Sequence, residues 1–145
     1  MLYLTKIFHF EMAHALDGYP GPCKDIHGHS YELHVTVSGE EIKEGYFSPP
    51  GFIADFKELK QAVRDSVIKK LDHKLVLSGN YRSRHPGIAA LENLLILEAE
   101  PSAENLLIYI QTLLTPGLPA TVRLVELRLY ETKDSYATLI IPDRQ

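Results

Sequence analysis

The strongest constraint on this chain is a change of hydrophobic rhythm, with period two at both ends and a helical period between them. From Leu2 to about His14, alternating stretches rich in Tyr, Thr, Ile and Phe predict a strand with Phe8, Phe10, Met12 and His14 on one face. A second strand is predicted from Ser30 to Ser38, with Leu33, Val35 and Val37 on one side. Between them, Asp17 to Asp25 holds two Gly and two Pro and reads as a loop. Asp55 followed by Glu58 is a capping-box signature. Phe56, Leu59, Val63, Val67 and Leu71 then recur at helical spacing. Pro101 and Ser102 open a second helix carrying Leu106, Leu107, Ile110, Leu113 and Leu114 inward, and Thr115 to Pro119 stops it. Strands at Val122 to Thr132 and Tyr136 to Ile141, joined by a turn at Lys133 and Asp134, finish the chain. The order ββααββ predicts one α+β domain over residues 1–145: a four-stranded antiparallel sheet with two helices on one face. Oligomerisation is one way to cover the edges of such a sheet. In the middle, Asn93 to Leu97 reads as a short extra strand and Tyr81 to Gly87 as a surface loop.

Composition excludes several classes. With 145 residues, 45% hydrophobic and 23% charged, the chain suits a soluble domain able to bury its own core. No apolar run approaches the roughly 20 residues that span a bilayer. The first residues lack the layout of a signal peptide. One cysteine allows no internal disulfide, so a cytoplasmic location is expected. A net charge of −4 argues against a general nucleic-acid surface.

Three of the seven histidines fall in an informative arrangement. His27 and His29 flank Gly28, and residues two apart on an extended backbone project from one face, so both rings can reach a single ion. Gly28 lets a bound group approach the backbone. A third ligand could come from His14, although His9 and His34 are equally available by count; His34 lies on the opposite face from His27 and His29. Three neutral imidazoles would leave the fourth zinc position open, as in catalytic sites. His9 and His85 read as partly exposed residues with no chemical role.

Cys23 lies four residues before His27. A lone cysteine is commonly a buried small hydrophobe, but Pro22, Lys24 and Asp25 are not core neighbours, and a nearby cation would favour its thiolate. Asp72 beside His73 suits either proton transfer or a helix end, where a histidine is favoured in any protein. Glu104 falls in a first helical turn, where an acid is favoured locally. Glu131 ends an apolar strand, and its carboxylate could take two hydrogen bonds from an amidine-like ring edge.

Five segments in order resemble the family of 6-pyruvoyl-tetrahydropterin synthase and 6-carboxytetrahydropterin synthase. They are Phe10-Glu11-Met12-Ala13-His14; Cys23-x3-His27-Gly28-His29; Ile53-Ala54-Asp55-Phe56 with Leu59-Lys60; Leu71-Asp72-His73; and Pro101-Ser102-Ala103-Glu104-Asn105 followed by Tyr130-Glu131-Thr132. The resemblance implies zinc, one ion per subunit, on His14, His27 and His29. It implies Cys23 as proton acceptor, Asp72 and His73 as a proton relay, and Glu131 as the pterin anchor contributing to that relay. Glu104 would lie in the pterin-recognition segment. It also implies the tunnelling fold, with sites between neighbouring subunits of a homohexamer built from two trimers. The three-residue gap from Cys23 to His27 resembles the bacterial carboxy-synthase branch of queuosine synthesis. That branch converts 7,8-dihydroneopterin triphosphate to 6-carboxy-5,6,7,8-tetrahydropterin with release of acetaldehyde and triphosphate. Lys24, Arg82 and Arg84 are candidates for the triphosphate. The pyruvoyl-forming sister reaction and a non-catalytic pterin- or purine-binding domain remain alternatives. So does a structural oligomer whose histidines never meet.

Overall fold

The computed structural model describes residues 1–40, 42 and 44–142. Its centre is a long antiparallel pair, β1 (Tyr3–His14) and β2 (His27–Ser38). Alternation along β1 buries Phe8, Phe10, Met12 and His14, as the period-two pattern requires. On β2 the same rule buries Tyr31, Leu33, Val35 and Val37. The strand starts three residues earlier than the apolar pattern suggests, so His27, Gly28 and His29 lie in the sheet itself.

After β2 come α1 (Phe56–Val63), a π turn (Arg64–Ile68) and α2 (Lys69–Leu71). Asp55 caps α1, its carboxylate accepting the Lys57 backbone N–H at 2.7 Å. Leu59, Val63, Val67 and Leu71 recur at a strict interval of four and are all buried. On a 3.6-residue helix that interval drifts by about 40° per step. The wider π turn takes up part of the drift and keeps all four on the sheet. Phe56 departs from the expectation: it is 49% exposed, with the Lys6 ammonium 5.9 Å from its ring centre. It sits in the first turn, before the helix reaches the sheet.

The sheet has six strands rather than four, and it is mixed rather than antiparallel. β3 (Lys74–Ser78) pairs in parallel with the end of β1, Met12 facing Lys74 and His14 facing Val76. A short helix, α3 (Gly79–Arg84), occupies most of the stretch expected to be a loop; Ser78 caps it and Tyr81 is buried beneath it. β4 (Leu94–Leu97) returns parallel to β3. The extra strand expected near Asn93 to Leu97 is therefore present. Lys74 to Ser78 carries no strand signal in the sequence because Leu75, Val76, Leu77 and Ser78 are buried in succession and show no alternation, as parallel strands covered on both sides do.

The second long helix, α4 (Ala103–Leu114), is capped by Ser102, whose hydroxyl accepts the Asn105 backbone N–H at 3.3 Å. Leu106, Leu107, Ile110 and Leu114 face inward; Leu113 is half-buried. β5 (Arg123–Thr132) then pairs with β2, and β6 (Ser135–Ile140) with β5. The order across the sheet is β4-β3-β1-β2-β5-β6. α4 and the α1–α2 helix cover one face around Tyr31, Leu33, Leu127 and Leu129. Among the described residues no helix is long and apolar enough to cross a membrane.

Candidate metal centre

The β1–β2 register builds the site. His14 stands directly across from His27, and Met12 across from His29, so one pairing brings three imidazoles to the same end of the sheet. One ring nitrogen from each of His14, His27 and His29 lies within 4.8 Å of the others. The Nε2 atoms of His14 and His27 are 3.0 Å apart. Each of these rings hydrogen-bonds through Nδ1 to a backbone carbonyl: His14 to Pro101 at 2.6 Å and His27 to Asp25 at 2.8 Å. A carbonyl only accepts, so each Nδ1 carries the proton and each Nε2 turns a lone pair inward. Two facing lone pairs at that distance repel unless a cation lies between them. Nitrogens bound to a tetrahedral zinc at about 2.0–2.1 Å sit about 3.3 Å apart, close to the observed spacing.

His29 completes the case. Its Nε2 is buried and has no hydrogen-bond partner, an orphan that calls for an explanation. The Glu131 carboxylate approaches to 3.2 Å without hydrogen-bond geometry, and lies 3.8 Å from His14 Nε2. Burial holds His14 below the ordinary imidazole range, opposed by its bond to Pro101 and by Glu131. Burial does the same at His29, again opposed by Glu131. Both shifts favour the neutral ring, the form that binds a metal. The donor set therefore fits zinc: three imidazoles, two of them with the second nitrogen held by a backbone carbonyl, and a carboxylate alongside.

Tyr31 floors the cluster. It is fully buried, stacks on Phe10 at 5.2 Å, and its hydroxyl is 3.4 Å from His14 Nδ1. Burial pushes its phenol far up, and Glu131 and Cys23 add to the effect. Cys23 itself is half-buried in a 3₁₀ turn (Pro22–Lys24), and its carbonyl accepts the Leu16 backbone N–H at 2.8 Å.

Asp72 and His73 lie at the end of α2, where the Asp72 carboxylate is 3.0 Å from His73 Nδ1. His73 and His29 line a common cavity of about 360 Å³. His29 also lines a second cavity of about 590 Å³, with Glu131 and Tyr130. Glu104 is exposed in the first turn of α4; the tie from that segment to the histidines is the Pro101 carbonyl. A Cβ on Gly28 would meet the Met12 carbonyl at an ordinary 3.5 Å, so packing within the chain does not demand glycine there. Of the three cations proposed for the triphosphate, Arg84 lies 3.6 Å from Asp17, while Lys24 and Arg82 are exposed.

Residues that the sequence pattern missed are the carbonyls of Pro101 and Asp25 and the side chain of Tyr31. Tyr31 was findable, because it shares the face of His27 and His29. Backbone acceptors carry no side-chain signal.

Fold and site together define a protein with a three-histidine centre built where two antiparallel strands of a mixed sheet meet. The family described as 6-pyruvoyl tetrahydropterin synthase matches residues 3–140, and the chain belongs to it. It is 38% identical over 76 residues to a 6-carboxy-5,6,7,8-tetrahydropterin synthase from Haemophilus influenzae, a match spanning 52% of each chain. A Rickettsia bellii protein of the same name is 24% identical over 144 residues, 94% of this chain and 98% of that one. A dihydroneopterin monophosphate aldolase from Pyrococcus furiosus is 33% identical over 122 residues, covering 84% and 82%. Among solved structures, 6-pyruvoyl tetrahydropterin synthase from Plasmodium falciparum superposes with a TM-score of 0.70 at 20% identity, covering 95% of this chain and 96% of that one. The Caenorhabditis elegans enzyme gives 0.69 at 20% identity, covering 97% and 96%. At such identities the structural likeness establishes the fold.

Proposed function

We propose that this protein is a zinc-dependent lyase that converts 7,8-dihydroneopterin triphosphate and one water to 6-carboxy-5,6,7,8-tetrahydropterin, acetaldehyde and triphosphate. The observation that carries the reading is the convergence of His14, His27 and His29 around an orphaned nitrogen, with the Glu131 carboxylate beside it. The names of the Haemophilus and Rickettsia relatives support this choice of reaction. Zinc on the three imidazoles supplies a Lewis acid for the substrate's side-chain oxygens. Glu131 places negative charge next to that ion and anchors the pterin ring, aligning its side chain. Cys23 takes the proton that must leave a side-chain carbon, and His73, with Asp72 on its Nδ1, handles the partner transfer. Glu104 belongs to the recognition segment at the start of α4. The same reading includes an active site completed between subunits of a homohexamer.

The Pyrococcus furiosus relative favours a second reading, aldol cleavage of a phosphorylated dihydroneopterin. Cleavage of that kind releases a two-carbon aldehyde still carrying its phosphate, whereas the first reading releases free acetaldehyde. Replacing Cys23 with Ala tests the proton acceptor: turnover should fall by at least about a hundredfold while zinc stays bound. Near-normal turnover in that variant would remove the thiol from the mechanism.

A further inference from the structure

We propose that Asn93 is a positioning residue that holds His73 in its working orientation, and that the β3–α3–β4 segment delivers it. The proposal rests on the reading of His73 as a proton-transfer group.

His73 has a φ of 60°, and among the described residues it is the one non-glycine residue in the left-handed region. Such a conformation persists only where its surroundings over-determine it, and it clusters at functional sites. The ring is 79% exposed, so side-chain packing does not hold it. The backbone does. The His73 N–H donates to the Glu11 carbonyl at 2.7 Å, and the His73 carbonyl accepts Nδ2 of Asn93 at 3.2 Å. The Asp72 carboxylate, which faces His73 Nδ1, also accepts the Glu11 N–H at 2.9 Å. Asn93 is itself anchored, its carbonyl accepting the Leu75 N–H at 3.0 Å. The turn from Asp72 to Leu75 is thus stapled by β1 on one side and by the residue preceding β4 on the other.

The parallel β3–β4 pair explains the placement. Leu75 lies opposite Leu94, so the chain returning along β4 sets Asn93 beside the turn it left. Asn93 and His73 line the same cavity as His29. The amide is chemically suited to the task because it donates to a carbonyl; an aspartate of the same shape would present only acceptors. The Asp72 carboxylate, 3.0 Å from His73 Nδ1, favours the tautomer that carries its proton there and its lone pair on Nε2.

The test uses the full-length zinc-loaded protein with Asn93→Ala and Asn93→Asp, and Glu92→Ala as control. Both Asn93 variants should lower kcat by at least about tenfold, with KM within about twofold and zinc content unchanged. The ¹⁵N signals of the His73 ring, read at about pH 8.5 where an imidazole is neutral, give a second measure. The wild type and Glu92→Ala should show one tautomer, protonated on Nδ1, and both Asn93 variants a mixture. Wild-type kcat and an unchanged tautomer in both Asn93 variants would overturn the proposal. If the wild type itself has no turnover, the reading of His73 fails, and the tautomer comparison alone decides the clamp: a redistributed ring supports it and an unchanged ring overturns it.

Discussion

Replacing His27 with Ala separates the metal from the fold. His27 is half-buried and faces His14 across two lone pairs, so its removal from metal-free protein costs little packing and relieves a repulsion. Metal-free His27→Ala should match metal-free wild type within about 0.5–1 kcal/mol. With zinc the two should part. At a free zinc concentration about a thousandfold above Kd, linkage stabilises the wild type by about 4.1 kcal/mol. A chain of this size gains roughly 2–4 °C in Tm per kcal/mol, so the wild-type midpoint should rise by about 8–16 °C. The variant keeps two imidazoles and should rise by no more than about a third of that. Scanning calorimetry with and without chelator reads both numbers. An equal rise in variant and wild type, or none in the wild type, would refute the assignment of the three rings to one ion.

Two further outcomes follow from the core and from the buried rings. In metal-free protein, burial lowers the folded-state values of His14 and His29, so the unfolded chain takes up protons first as pH falls. Their contribution to stability is complete above about pH 6.5 and is lost below it; urea midpoints at about pH 7.5 and 5.5 should fall in that order with an unchanged m-value. Leu127→Ala, at a fully buried position between sheet and helices, should cost about 2–5 kcal/mol by chemical denaturation.

Much of the architecture was legible because burial is one-sided. β1, β2, β5 and β6 each press one face on the helices, so alternation survives in their sequences. β4 shows as the short apolar run expected at Asn93 to Leu97, but β3 is buried along its length in a parallel arrangement, and periodicity cannot separate such a run from buried helix. The same limit hid α3, a short polar helix whose single buried anchor, Tyr81, carries no pattern. At the site, the spacing of His27 and His29 follows from strand geometry alone. Parity alone puts His34 on the other face, where it meets Glu32, whereas the register shows directly why His14 rather than His9 is the third ring: it stands opposite His27. The left-handed turn at His73 had no local signature, because its cause is a set of hydrogen bonds from Glu11 and Asn93, distant in sequence.

The central claim is cleavage of a pterin side chain at a three-histidine zinc site. Its most direct test is incubation of zinc-loaded protein with 7,8-dihydroneopterin triphosphate, with the small aldehyde and the pterin identified together. Acetaldehyde and 6-carboxy-5,6,7,8-tetrahydropterin in equal amounts, abolished by chelator and restored by zinc, is the predicted result. A pyruvoyl pterin without acetaldehyde, a phosphorylated two-carbon aldehyde, or no turnover with zinc bound would contradict it.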